Sequence, residues 1–528
     1  MAQPAQPAQP AESAGPAGPA GPAEPTNPAA YTEPAGQTAG PATEPAAPTG
    51  RDEPPARGVF LVERRSIDLV PDAERHGTAF SQFTLWLGAN LQITAVVTGA
   101  LAVVFGGGAF WSLIGLVAGN ALGGAVMALH SAQGPRLGLP QMISSRAQFG
   151  VRGAVVPLLL VIVMYVGFFA SGTVLAGQAV GELTHLGETP GILVFALVTA
   201  VAATIGYRVI HILGRVASVI CAPALVYLVI RLLDRIDLTT VLHDRAFHVP
   251  MFLLAMSLSA SWQLAFGPYV ADYSRYLPRT TSARATFWWT LGGSALGSQF
   301  SMTFGVLVAA TAGDAFLDDQ VGYVVGLGGA GLAASFLYFT IALGKLTINV
   351  LNTYGGFMSL VTGIGGFRAQ KTVGPRARAL CVGGIMLAGT AVALAGKDSF
   401  LTSFKDFLLF LLTFFTPWSA INLVDYYLIS RERYDIPALF DPTGRYGAWR
   451  WDALSVYVVG VLAQLPFLAT SFYAGPLVAR LGGADVSWMV GLVVPAALFF
   501  VLARRRNTGD TPTAPGASAP YREPHGCP

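Results

Sequence analysis

Lys345, Asn349 and Asn352 lie in the apolar stretch LGKLTINVLNTYGG, spaced i, i+4, i+7, and so share one helix face. An ammonium and two carboxamides on one stripe either meet a polar ligand or hydrogen-bond to neighbouring helices. Lys345 reads in two ways. It carries a proton, its charge switching as its surroundings open and close, or it reaches into a water-filled outer vestibule. Thr347 falls on another face, where its hydroxyl and nearby backbone carbonyls suit a cation.

A second constellation is a break. The run MFLLAMSLSASWQLAF meets Gly267-Pro268 and resumes as YVADYSRYL. Proline has no N–H and frees a carbonyl one turn back. In lipid that carbonyl is satisfied by protein, water or ligand, and broken membrane helices commonly line substrate and ion sites. A packing kink is the plainer reading. In FSQFTLWLGANLQITAVVTGALAVVFGGG, Gly88, Asn90, Gln92 and Thr94 interrupt an apolar run near its middle. Polar residues at that depth normally face the bundle interior; glycines that pack helices would look the same. In MYVGFFASGTVLAGQAVGEL, Phe168 and Phe169 precede Ser171, Gly172, Thr173 and Gln178, which suits stacking on a flat ring or plain packing.

These residues need long apolar elements to hold them. The chain has 528 residues, 53% of them hydrophobic and 12% charged, about half the usual charged share of a soluble chain. That composition points to a polytopic membrane protein. Twelve apolar segments are long enough to cross ~30 Å of hydrocarbon: 80–104, 110–130, 153–181, 190–207, 209–232, 249–277 with its break, 286–312, 331–357, 378–396, 403–430, 452–474 and 486–503. With the N-terminus inside, 25 Lys and Arg fall on the inner side and 6 on the outer, Lys345 lying within a segment. The expected domain is 58–505, with both ends cytoplasmic. Residues 1–57, rich in Pro and Ala, and 506–528 have the composition of disordered tails.

Enzyme classes are excluded by pattern: there is no GxSxG, HExxH or P-loop, and seven histidines are scattered. No cofactor, nucleic acid or obligatory protein partner is implied, and no metal centre; the three cysteines form no pair motif. A channel would need a continuous polar path, and breaks at two positions argue against one. If segments 1–5 and 6–10 are inverted repeats, segments 1 and 6 correspond, which is the positional pointer to a midplane site.

Taken together, WLGANLQITAVVTGAL, GPRLGLPQMISSRAQFG, FGPYVADYSRYLP, NVLNTYGG and RYDIPALFDPTGRYGAW resemble the nucleobase–cation symporter-1 family, in particular its purine–cytosine permease group. The resemblance spans about 58–505. It implies an all-α LeuT-type fold, ten helices in a five-plus-five inverted repeat plus two more, with helices 1 and 6 broken. It implies uptake of a nucleobase, cytosine or a purine, coupled to H+ or Na+. A related ring such as allantoin, hydantoin, uracil or a vitamin precursor is the alternative. In that family an aromatic on helix 3 and another on helix 6 sandwich the ring, which by position are Phe168 and Phe266. The helix 8 match is Asn352, with Asn349 beside it. Relatives often carry tryptophan at both aromatic positions, a polar residue at Gly172, and serine at Gly88. The expected site is therefore Asn90, Phe168, Phe266, Gly267, Asn349 and Asn352 for the ring. Gly88, Lys345 and Thr347 serve the coupling ion, H+ by way of Lys345, with Na+ near Thr347 as the alternative.

Overall fold

Apolar runs with no water to pair their backbone have one local solution, the helix, and the described residues take it. The computed structural model describes residues 67–205, 207–368 and 374–509. Among them the sole extended pairing is an isolated bridge between Ala469 and Ala474. Residues 1–57 lie outside the described residues, as does the C-terminal stretch from 510 onward. The main helices are α1 (Phe80–Asn90), α2 (Ile93–Val104), α3 (Ala109–Ser131), α4 (Val155–Thr184), α5 (Glu188–Ile205), α6 (Tyr207–Leu233) and α7 (Val249–Leu264). They continue as α8 (Val270–Ser274), α9 (Ala283–Ala312), α10 (Leu332–Ile364), α11 (Pro375–Gly396), α12 (Phe400–Leu423), α13 (Trp451–Leu462) and α14 (Ser487–Gly509).

Among the described residues, 6 helices are long and apolar enough to span a membrane, or 7 if α1 and α2, bent by 65°, count as one. One of them is a continuous helical stretch of 54 residues, Arg376–Ile429, that takes in α12 and all of α11 but its first residue. Four more apolar helices are shorter, Glu188–Ala203, Val219–Leu233, Val249–Leu264 and Trp451–Phe467. The expected segment 452–474 is cut short: its α-helix ends at Leu462 and only a 3-10 turn, Leu465–Phe467, follows. Pro466 has no amide hydrogen to continue the ladder, and residues 468–486 run without an α-helix.

Packing sorts the elements into two sets. In one, α1, α2, α3, α7 and α9 lie together; in the other, α4, α5, α10 and α11. The first set is joined through glycine. Gly115, Gly119 and Gly123 repeat every four residues along α3 and face α7, where added Cβ atoms would meet the carbonyl oxygens of Phe252 at 2.8 Å, Met256 at 2.1 Å and Ala260 at 2.7 Å. Gly99 on α2 and Gly305 on α9 meet each other's backbones in the same way, at Met302 O and Val96 O. Without a hydrophobic drive between helices in lipid, close backbone approach supplies the attraction. Gly119→Ala is accordingly expected to lower stability by about 1–3 kcal/mol. The melting midpoint of the purified protein in detergent measures it, and an unchanged midpoint would contradict the seam.

Candidate functional site

Both expected breaks interrupt helices of the first set, and the segment 1 break meets α10 through Lys345. In segment 6, α7 stops at Leu264, residues 265–269 form turns, and α8 restarts at Val270. Gly267 donates its N–H to Leu264 O at 2.9 Å, and a Cβ there would approach Leu264 O at 3.0 Å and Trp418 at 3.4 Å. In segment 1 the helix breaks at Leu91 and Gln92, beyond the Gly88–Asn90 position read from the sequence. Gln92 is extended, at φ −148° and ψ 155°. Its side chain turns back and donates to the freed carbonyl of Ala89 at 2.8 Å.

Asn90 departs from its expected role. It is fully buried, and its carboxamide is committed to other helices. Its Nδ2 donates to Trp86 O at 2.7 Å and Ser294 Oγ at 3.2 Å, while its Oδ1 accepts from Trp262 Nε1 at 2.6 Å and Ser298 Oγ at 2.8 Å. Ser301 Oγ donates to its carbonyl at 2.8 Å. Asn90 is thus a junction of α1, α7 and α9 with no donor or acceptor left for a ligand. Gly88 is exposed, and a Cβ on it would meet nothing within 4 Å. Its carbonyl accepts Leu91 N–H at 3.2 Å.

Aromatic rings gather around the segment 6 break. Phe168, half-buried on α4, packs at 89° against Trp262, with centroids 5.8 Å apart. Phe266 packs at 89° against the same indole at 5.9 Å, and against Trp86 at 5.2 Å and Tyr269 at 6.0 Å. The two phenyls are therefore brought together through Trp262. That indole, one turn before Phe266, was missed in the sequence. Its signal was present in SASWQLAF, which places a tryptophan four residues before Phe266 on the same helix.

The polar stripe of α10 lies in the groove between α4 and the segment 1 break. Lys345, 2% exposed, donates to Gln92 Oε1 at 3.0 Å and Thr94 Oγ1 at 2.5 Å. A cavity of about 60 Å³ beside it is lined by Leu91, Gln92, Cys221, Leu225 and Leu337. Asn349 donates through Nδ2 to Phe169 O at 3.0 Å and Thr173 Oγ1 at 2.9 Å. Its Oδ1 is buried without a hydrogen-bond partner, and so is Nδ2 of Asn352. Thr347 is turned elsewhere: its hydroxyl donates to Leu343 O at 3.2 Å, and its methyl faces Gly214 on α6. Among the described residues, no group of three or more His, Cys, Asp and Glu is placed to hold a metal ion.

Residues 69–491 match the family model described as permease for cytosine/purines, uracil, thiamine, allantoin. The chain is 40% identical over 446 residues to the Bacillus subtilis protein "Putative purine-cytosine permease YxlA", covering 84% of this chain and 96% of that one. It is 25% identical over 480 residues to the purine-cytosine permease fcyB of Emericella nidulans, covering 84% and 88%. Its fold is similar to the inward-facing conformation of Mhp1, with a TM-score of 0.69 at 18% identity, over 85% of this chain and 95% of that one.

Proposed function

The chain belongs to the family of permeases for cytosine/purines, uracil, thiamine and allantoin, and from that premise we propose that it takes up a nucleobase, cytosine or a purine, across the cytoplasmic membrane by cation-coupled alternating access. One observation carries this reading to the residues: Asn349 Oδ1 and Asn352 Nδ2 are buried and unpartnered. They sit three apart on one helix and offer one acceptor and one donor, the complement of adjacent donor and acceptor atoms on a base edge. A buried amide left unpaired costs about 1–3 kcal/mol, so a ring that satisfies both atoms is favoured over one that satisfies neither. Phe168 and Phe266, with Trp262 between them, supply the stacking faces, and the turn at Gly267 brings backbone close to the same rings.

H+ ranks ahead of Na+ as the coupling ion. The support is Lys345, whose ammonium bonds neutral oxygens at the segment 1 break. A free cation held by such oxygens would compete for that place. Thr347, the hydroxyl considered for sodium, bonds within its own helix.

The membrane arrangement follows from the lengths. At ~1.5 Å per residue the stretch Arg376–Ile429 is more than twice the ~30 Å of hydrocarbon. Divided at its 3-10 turn Lys397–Ser399, and taken with the bent pair and the four shorter helices, it makes twelve crossings. In the proposed arrangement segments 1–5 and 6–10 are the inverted repeat, the Lys and Arg distribution supports cytoplasmic ends, and no obligatory protein partner is needed.

The test is radiolabelled cytosine and hypoxanthine uptake in cells lacking their own nucleobase carriers. Uptake of one of them, with competition by adenine but weakly by allantoin, is expected. Uptake competed only by allantoin or a hydantoin would replace the nucleobase reading with the related-ring one.

A further inference from the structure

Gly172 is buried midway along α4. A Cβ built there would stand 2.4 Å from Asn349 Oδ1, 2.8 Å from Lys345 Cε and 3.2 Å from Asn349 Cγ. These nearest atoms all belong to two α10 side chains. On the same helix, a Cβ on Gly167 would meet only the ring of Phe407, and one on Gly177 both the side chain and the backbone nitrogen of Ile192. One on Gly181 would stand 2.6 Å from the backbone oxygen of Gly187, so that glycine lets the backbone entering α5 approach. Gly172 instead leaves room for the stem of Lys345 and the carboxamide of Asn349.

We propose that Gly172 is a positioning residue: its missing side chain is the slot through which Lys345 reaches Gln92 and Thr94, and over which Asn349 holds its unpartnered oxygen. The role rests on the proposed parts of Lys345 in coupling and Asn349 in ring binding. A methyl group in the slot pushes on both side chains at once. The lysine chain is flexible and yields first, so its Nζ withdraws from the segment 1 break while the backbone of α4 and α10 stays in place. Asn349, tied by Nδ2 to Phe169 O and Thr173 Oγ1, must rotate about that anchor, which moves Oδ1. One substitution therefore disturbs coupling and ring recognition together while leaving both side chains in the sequence.

The experiment is a double-mutant cycle on purified full-length protein with Gly172→Ala, Lys345→Ala and the double variant. The melting midpoint needs no assumption about the ring. Gly172→Ala is expected to reach the membrane and lower the midpoint by a few degrees, and to lower it less than half as far in the Lys345→Ala background. Equal drops in the two backgrounds would overturn the slot. So would failure of Gly172→Ala to fold where Gly177→Ala folds. The second readout is equilibrium binding of radiolabelled cytosine or hypoxanthine. Gly172→Ala is expected to weaken it about tenfold, and Thr173→Ser, which keeps the hydroxyl partner of Asn349, much less. Binding within twofold of wild type for Gly172→Ala would also overturn the proposal. Failure of the coupling reading shows separately, as protonophore-sensitive uptake that persists in Lys345→Ala, and leaves the midpoint cycle intact as a test of the slot.

Discussion

Lys345→Ala is expected to abolish concentrative uptake while leaving exchange of labelled for unlabelled substrate in place. The ammonium has two oxygen partners, Gln92 Oε1 at the segment 1 break and Thr94 Oγ1 just beyond it. Removing it leaves those oxygens only the 3.2 Å bond that Thr94 Oγ1 donates to Gln92 Oε1. The wild type is expected to take up substrate in sodium-free buffer and to stop when a protonophore collapses the proton gradient. The variant is expected to ignore the protonophore because nothing is left to carry the proton. Lys345→Arg should not restore function, since a planar five-donor guanidinium does not fit a slot shaped for one methylene chain. Wild-type uptake that requires sodium and disregards the protonophore would sink the proton assignment.

The second large effect concerns the rings. Phe266→Ala removes a ring that packs on Trp86, Trp262 and Tyr269. With aromatic stacking worth about 1–3 kcal/mol per base, KM is expected to rise between about 5-fold and 150-fold. Trp262→Ala is expected to do more. It removes the indole that both phenyls contact, and it takes one of the two donors from Asn90 Oδ1. Trp262→Phe separates these parts, since it keeps a ring and loses the hydrogen bond. It should retain most of the uptake and lose melting temperature. If Phe266→Ala and Trp262→Ala both transport with wild-type KM at equal protein level, the stacking site lies elsewhere.

Those two residues also show what the sequence makes legible. The break of segment 6 was visible because Gly267-Pro268 dictates it locally. Lys345 was visible because a lysine inside an apolar run has few explanations. The break of segment 1 was misplaced by two residues, since Leu91 and Gln92 are ordinary helix formers. What ends the helix there is partly tertiary, the hold of α9 on Asn90, and partly a local return of the Gln92 side chain to Ala89 O that the residue types do not announce. Asn90 was read as a ligand contact for the same reason. A buried asparagine looks alike in sequence whether a substrate or a protein group completes it. The missed clue was the serine row Ser294, Ser298 and Ser301 on α9, spaced i, i+4, i+7 and waiting for a partner. Thr347 lies off the polar stripe, as its spacing indicated, but its bond to Leu343 O needs only its own helix and could have been weighed against a cation.

The glycine seam of α3 and α7 has a mechanical consequence. Where carbonyl meets Cα with no side chain between them, there is no compressible layer, and neither helix can slide without lifting off its neighbour. Gly99 and Gly305 lock α2 to α9 in the same way. Each of these two pairs is therefore a stiff lever. The hinge must lie where side chains, rather than backbones, fill the gap, and one such place is the boundary that Lys345 crosses to Gln92 and Thr94. In the coupling role proposed for Lys345, an ammonium at that boundary would act like a pawl on a ratchet: engaged, it holds the lever, and its release lets the load swing to the other side.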